Sequence, residues 1–401
     1  MRILLSEGSG LTSRQVATRL GLTGHHVEIL SSSPICLTRF TRHVRKIHPV
    51  PAFGRAPLDW LKAAEDIACQ RDIDLLFPTQ EQVAVLSARR NVLKCVTVVP
   101  AFEALLRVQD KVSAFKTLEA VEIPQPPTVL IQHPDDLAKI ERFPVFIKRP
   151  VSTASSGVRK ANSPGELQAA ALALGLGEHE ILTQQQCLGP LAMVQAIADN
   201  GRLIAHHANL RVQEGVGGGA SIKESITLPS MSQHLRRLVG HLNWHGPISF
   251  DVILTDAGPV VIDVNPRLVE PMNAYLAGVD LVGAMLSLAE SRFVTLQTEG
   301  RPGVRSHQLL LAILGAAQLH NSRTAVVREL LRALQKKGPY VASVEELTPV
   351  RGDGLSAIPV LAAALATLIW PNAWRVFHAG AVGSYALTPN AWAQIVSLAA
   401  Q

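Results

Sequence analysis

Short apolar runs alternate with longer amphipathic stretches through the first 100 residues. Runs at 3–5, 27–30, 75–78 and 96–99 predict β-strands, and the stretches at 14–22 and 60–70 predict helices between them. Strands separated by helices predict a parallel sheet covered on both faces, because parallel neighbours need a crossover long enough to hold a helix. The glycine-containing turn at 6–10, between the first strand and the first helix, is suited to present a ligand to a helix N-terminus. It lacks the third glycine and the later acidic residue of a dinucleotide fingerprint.

The texture changes after residue 100. A helix is predicted at 110–119, a proline-rich connector follows at 123–127, and β-patterns recur at 145–148, 181–184, 193–197, 204–209, 248–254 and 260–264. Helices are predicted at 164–174 and 232–242, and helical patterning dominates after 300. The last two β-patterns flank Asp256-Ala257-Gly258, which fits a three-residue hairpin loop with Gly258 at the left-handed position. That loop sets Asp251 opposite Asp263. Alternation then places Ser249, Asp251, Asp263, Asn265 and Arg267 on one face, with Ile253 and Val261 nearer the turn. The other face is apolar, formed by Ile248, Phe250, Val252, Leu254, Val260, Ile262 and Val264.

Two facing carboxylates repel unless a cation lies between them. Asp251 and Asp263, with Asn265 as a neutral oxygen donor, form a hard-oxygen set that leaves positions open for phosphate oxygens. Such a set suits Mg2+, with Mn2+ as its replacement. The neighbouring His206 and His207 point to opposite faces of one strand, which argues against a shared metal.

Composition narrows the classes. Of 401 residues, 47% are hydrophobic and the mean hydropathy is positive, which predicts a large core in several subdomains rather than disorder. The formal charge of +6 is spread without a dense basic run, which excludes nucleic acid as the expected partner and fits small anionic ligands. Cys36, Cys69, Cys95 and Cys187 have no metal or redox spacing, so reduced thiols and a cytoplasmic location are expected. The opening residues read as a strand rather than a secretion signal. From 354 to 401 the one formal charge is Arg375, and 354–374 is uncharged over a membrane-spanning length, interrupted by Pro359 and Pro371. A buried helical lid or an oligomer contact is the expectation there. The stretch leaves open a membrane or lipid-linked substrate reached through residues 354–401, with the protein peripheral to the inner face of the membrane.

Asp263-Val264-Asn265-Pro266-Arg267, preceded by Phe250-Asp251, resembles the metal-binding hairpin of ATP-grasp enzymes, and further elements follow in that superfamily's order. Asp110-Lys111 looks like the start of the helix that opens the module, and Phe143 to Lys148 like the strand with the second nucleotide lysine. Ser152 to Gly157 looks like the small-residue loop over the phosphates, and Ile181 to Gly189 like the hinge strand that binds adenine through its backbone. Arg211, with Gly217-Gly218-Gly219 and Glu224, resembles the phosphate and substrate segment of the carboxylate–amine ligase branch, the carbamoyl-phosphate-synthase-like type. Pro78-Thr79-Gln80-Glu81 looks like part of that branch's preceding domain. Gln185 stands where an acidic residue is common in the family, and Asp251 where Glu is commoner.

The resemblance implies an α/β fold: a Rossmann-like parallel-sheet domain at 1–100, an ATP-grasp (α+β) domain at 101–300 and a helical, apolar extension at 301–401. It implies ATP and Mg2+ as cofactors. Lys111, Lys148, Ser155, Ser156, Gly157, Gln184, Gln185 and Cys187 would hold the nucleotide. Asp251, Asp263 and Asn265 would hold the metal, and Arg211, Arg267 and Lys148 would serve catalysis. The activity implied is ADP-forming ligation of a small-molecule carboxylate to an amine through an acyl phosphate, with a homodimer as the default assembly. The rival readings are carboxylation through carboxyphosphate and a nucleotide-binding protein without turnover.

Overall fold

Alternation of strand and helix governs the first part of the computed structural model, which describes residues 1–153, 157–297 and 299–400. The chain runs through β1 (Arg2–Leu5), α1 (Leu11–Leu22), β2 (His26–Ser31), β3 (Val44–Pro49), α2 (Pro57–Gln70) and β4 (Leu75–Phe77). These four strands form a parallel sheet in the order β3-β2-β1-β4. Ile3, Leu5, Val27 and Phe77 pack with Val16, Ala17 and Leu20 of α1, while Leu4, Leu30 and Leu76 join Trp60, Leu61 and Ala64 of α2. Both faces are therefore covered, as the pattern predicts. The strand β3 escaped that pattern because it is an edge strand whose Arg45 and Lys46 are exposed, and charged residues protect an edge from stray pairing. The run at 96–99 is not a strand. Val96 makes a single bridge with Leu75, although Val98 and Val99 are buried.

After α3 (Val83–Arg89), α4 (Phe102–Leu106) and α5 (Lys111–Ala120) comes a small antiparallel sheet. It contains β5 (Thr128–Ile131), β6 (Val145–Lys148) and β7 (Val158–Ala161), then α6 (Pro164–Ala173) and β8 (Ile181–Gln185), in the spatial order β5-β8-β6-β7. Leu167 and Ala171 of α6 seal its apolar face over Ile131, Val145, Ile147 and Ile181.

The largest sheet is built from β9 (Leu191–Asp199), β10 (Arg202–Glu214) and β11 (Ala220–Ile226), with α7 (Pro229–Leu242) leading to the hairpin β12 (Gly246–Thr255) and β13 (Gly258–Asn265). Beyond α8 (Met272–Ala277) and α9 (Leu281–Ala289), β14 (Arg305–His307) extends it. After α10 (Leu309–His320) and α11 (Arg323–Leu334), β15 (Val344–Glu345) completes the order β13-β12-β9-β10-β11-β14-β15. One face is apolar, with Val194, Ala196, Phe250 and Val252 packed on Leu235, Leu238 and Val239 of α7. The opposite face buries polar side chains, among them Gln195, His207, Asn209, Lys223 and Ser249. Buried polar groups persist only when partnered or used, so this face is where chemistry is expected.

The chain ends in α12 (Ala357–Ile369), α13 (Trp374–Tyr385) and α14 (Pro389–Ala399). Ala391 and Ile395 of α14 enter the same core as Trp60 and Val83 of the first domain. Arg14, fully buried on α1, reaches Asp353 at 3.2 Å and also bonds Ser356, while Thr41 bonds Asp353 at 2.5 Å. A guanidinium with no water around it needs such a partner, so the extension is tied into the first domain. Among the described residues, no helix is long and apolar enough to cross a membrane.

His207 is 2% exposed, and its Nε2–H donates to Asn273 Oδ1 at 2.8 Å. Burial pushes its pKa down to about 4. The unfolded chain then binds a proton that the folded chain refuses, so stability is complete above about pH 6.5 and declines as pH falls toward 4. Chemical denaturation should show a loss of about 3 kcal/mol from this group across that window. The decline should flatten in His207→Gln; an unchanged slope in that variant would contradict the assignment.

Candidate active site

The hairpin sets the geometry. Asp251 pairs with Asp263 and Ser249 with Asn265, which is the opposition that the spacing predicts. The turn that produces it is different. Thr255 pairs with Gly258, so the loop has two residues, Asp256 and Ala257, and Gly258 sits at φ 121°. A loop one residue shorter would slip the register by one. A β-bulge corrects the slip: beyond Asp251–Asp263 the next pair is Val252–Val261, which leaves Ile262 as the extra residue. Three expectations change in consequence. Val261 turns into the apolar core beside Val252, Val260 moves to the face of its partner Ile253, and Ile262 lines a cleft between the hairpin and the small sheet.

That bulge also releases a backbone carbonyl. Lys148, at the end of β6, is buried and donates from Nζ to the Ile262 carbonyl at 2.6 Å. Burial lowers its pKa to about 8, so the ammonium persists at neutral pH. Lys111 comes from the first turn of α5, where Asp110 caps the helix by accepting from the amides of Val112 and Ser113 at 3.0 and 2.8 Å. Its Nζ lies 2.7 and 2.9 Å from the two oxygens of Asp263.

The two carboxylates titrate apart. Burial, then the charge of Asp263, pushes Asp251 up to about 6. Burial acts in the same sense on Asp263, but the ammonium groups of Lys111 and Lys148 outweigh it and hold that carboxyl below its usual range. One proton-accepting and one firmly ionised carboxylate thus stand side by side.

The cleft is lined by Lys111, Phe115, Lys148, Gln184, Ile262 and Asp263 among others. Gln184 is buried there, and Gln185 and Cys187 are half-buried. The amides of Gln185 and Gln186 already donate to Pro127 and Pro144 at 2.9 and 3.1 Å, so amide recognition of a base would start at Cys187. Ser155 and Ser156 lie outside the described residues. Gly157 is placed, and its carbonyl accepts from the Arg149 amide at 3.0 Å. A Cβ on Gly157 would stand 2.4 Å from Arg149 Cγ and 2.5 Å from Ser152 Cβ, so this turn admits no side chain.

Arg267 lies just beyond the carboxylate pair. Its Nε donates to Glu81 Oε1 at 3.1 Å, and Nη2 reaches Asn265 Oδ1 at 3.5 Å. Glu81 thereby joins the first domain to the hairpin. Arg211 stands apart from this group, on β10 with β9 between it and β12. It donates to the Gly218 carbonyl at 2.7 Å and pairs with Glu214 at 3.4 Å. Glu224 does not join Arg211: the residue directly opposite Arg211 is Lys223, and Glu224 on the other face pairs with Arg305.

Three groups near the site were not legible from sequence. Lys223 is buried and binds Glu270 at 2.5 Å and Glu346 at 2.7 Å, with Gln308 and Gln15 completing the cluster on Glu346. Tyr385, from α13, is close enough to Arg267, Glu7, Glu81 and Glu270 to sense all four, and burial pushes its phenol well above the ordinary range. Glu7 corrects the reading of the first turn. Its carboxylate accepts from the amides of Ser9 and Gly10, the latter at 2.6 Å. The turn before α1, which the sequence reads as suited to present a ligand, therefore holds the chain's own acid.

Residues 108–271 match the profile described as the ATP-grasp domain. This chain carries an ATP-grasp domain. No curated protein matches the chain by sequence. Solved structures share its fold at low identity. The biotin carboxylase domain of Hydrogenobacter thermophilus 2-oxoglutarate carboxylase, in complex with MgADP, ADP and bicarbonate, is 16% identical with a TM-score of 0.60, over 76% of this chain and 73% of that one. Campylobacter jejuni biotin carboxylase is 15% identical with a TM-score of 0.62, over 76% and 74%. N5-carboxyaminoimidazole ribonucleotide synthetase from Thermus thermophilus is 17% identical with a TM-score of 0.59, over 76% and 81%.

The ATP-grasp hairpin has the donors for a divalent cation. Asp251 and Asp263 face each other in register, and burial together with the charge of Asp263 raises the Asp251 carboxyl. Among the described residues no group of three or more His, Cys, Asp or Glu could hold a metal. Two carboxylates and Asn265 would leave the remaining positions of a bound Mg2+ to phosphate and water. Below about pH 6 a proton on Asp251 would compete with a cation bound there. Mn2+ affinity in the presence of ADP, followed by electron paramagnetic resonance, should be about tenfold weaker one pH unit below that value than well above it. A flat profile would show that Asp251 is not a ligand.

Proposed function

We propose that this chain is an ATP-dependent ligase that joins a carboxylate to an amine with release of ADP and phosphate. The observation that carries the reading is the convergence of Lys111, Lys148, Asp251 and Asp263, with Arg267 at the end of the same hairpin. Phosphoryl transfer is accelerated by positioning and charge neutralisation more than by covalent help from side chains. Lys148 waits on a neutral carbonyl, which an incoming phosphate oxygen readily replaces as the stronger acceptor. Lys111 balances Asp263 through two N–H groups and has a third to offer the phosphates. Asp251, Asp263 and Asn265 would hold Mg2+, which would neutralise negative charge on the phosphates.

Arg267 presents a planar fork, and Glu81 holds one edge of it in place. The remaining edge suits the substrate carboxylate and the acyl phosphate formed from it. Tyr385 and Leu387 bring the C-terminal extension over this end of the site, where the Leu387 amide donates to Thr153 Oγ1 at 3.1 Å. The extension therefore supports a role in excluding water from the acyl phosphate. Arg211, two strands away, is left to the far end of a substrate.

A second reading has one observation in its favour. The Hydrogenobacter thermophilus neighbour was solved with bicarbonate beside MgADP, and bicarbonate would use the same cluster to become carboxyphosphate. ADP release that requires bicarbonate and no amine would favour it.

Lys148→Ala and Asp263→Ala should each lower ATP-dependent product formation by about 10² or more while thermal melting stays close to that of the parent. Hydroxylamine added with ATP and a carboxylate pool should yield a hydroxamate, since it captures an acyl phosphate as an amine would. Full activity in either variant would remove the assignment of the residues. Amide formation without any hydroxamate would remove the acyl phosphate.

A further inference from the structure

The helices α11 and α12 lie side by side over α10, and Arg323 at the start of α11 donates to the Ile369 carbonyl at the end of α12 at 2.8 Å. The faces turned to α10 are buried through Val326, Ala363 and Ala364. The outer faces remain apolar. Ile358, Leu361, Leu365 and Ile369 share one arc of α12, with Leu365 61% and Ile369 73% exposed, and Trp370 follows at 54%. On α11 Val327, Leu331 and Leu334 form a second exposed stripe at helical spacing. Exposed patches of this kind on a well-packed fold mark interaction surfaces.

Charge selects the occupant. Arg323, Arg328, Arg332, Lys336 and Lys337 on and after α11, with Arg375 on α13, are all exposed. Every acid between 306 and 400 is turned inward. Glu329 accepts from Gln213 and Tyr340, Glu345 from the amides of Leu309, Leu347 and Thr348, Glu346 from Lys223, and Asp353 from Arg14. The result is an apolar surface rimmed by cations, with no exposed carboxylate among the described residues from 306 to 400. A second copy of the chain would set these cations against their own kind with nothing to neutralise them.

We propose that the outer face of α11 and α12 docks on an anionic lipid bilayer, with the apolar stripes and Trp370 in the interface and the basic rim on the lipid phosphates. Amphipathic helices bind membranes this way, lying in the interfacial plane, and Trp favours that boundary. Neither helix spans: α11 has 12 residues and α12 has 13. The proposal concerns this face alone and does not depend on what the ATP site catalyses.

The test is co-sedimentation of the full-length protein with phosphatidylcholine vesicles, with and without phosphatidylserine. Binding should be at least about tenfold tighter to the phosphatidylserine vesicles and should weaken as salt is raised. The double variant L361Q/L365Q and, separately, R328Q/R332Q should each lose about tenfold in binding with melting temperatures close to the parent's. Three results would overturn the proposal: no vesicle binding, equal binding to neutral vesicles, or a concentration-dependent dimer that these same variants abolish.

Discussion

Two carboxylates held face to face in a half-buried hairpin repel each other, and much of the molecule around Asp251 and Asp263 compensates for that repulsion. Lys111 comes from one helix and Lys148 from another sheet, so the small sheet and the large one are drawn together over this pair. The bulge at Ile262 keeps the carboxylates in register and at the same time supplies the carbonyl that parks Lys148. A cation between the carboxylates would take over the role of the lysines and free both for phosphate.

The first and last parts of the chain complete what the central sheets begin. Glu81 fixes Arg267 from the N-terminal side, and Tyr385 approaches the same guanidinium from the C-terminal side. The buried pair Arg14–Asp353 and the cluster of Lys223, Glu270, Glu346, Gln308 and Gln15 lock these regions to the central sheet. Charges buried this deeply contribute little net stability when paired, but removing one partner leaves the other without water. They specify one arrangement of three regions around one cleft.

Local features of this site were legible in the sequence. The helix over 110–119, the doubly covered parallel sheet, and the opposition of Asp251 and Asp263 all follow from spacing and alternation. The hairpin shows the limit of such reasoning. Alternation assumes an unbroken ladder, so a two-residue loop with a downstream bulge looked like a three-residue loop, and Val261 and Ile262 exchanged faces. The edge strand β3 was hidden because its exposed Arg45 and Lys46 carry no apolar signal. Lys223 with Glu346, and Arg267 with Glu81, join residues more than 100 positions apart, and no local pattern encodes such a meeting. Glu7 was a different miss: its own short side chain reaches back to the turn that carries it, which a search for glycines overlooks.

The most direct test of the account is which nucleotide the site produces from Mg·ATP when pooled carboxylates and amines are supplied and each pool is withheld in turn. The account predicts ADP and inorganic phosphate, formed only when both pools are present and lost when Lys148 or Asp263 is replaced by Ala. Release of AMP with pyrophosphate would contradict it, because γ-phosphate transfer to a carboxylate leaves ADP and no other nucleotide.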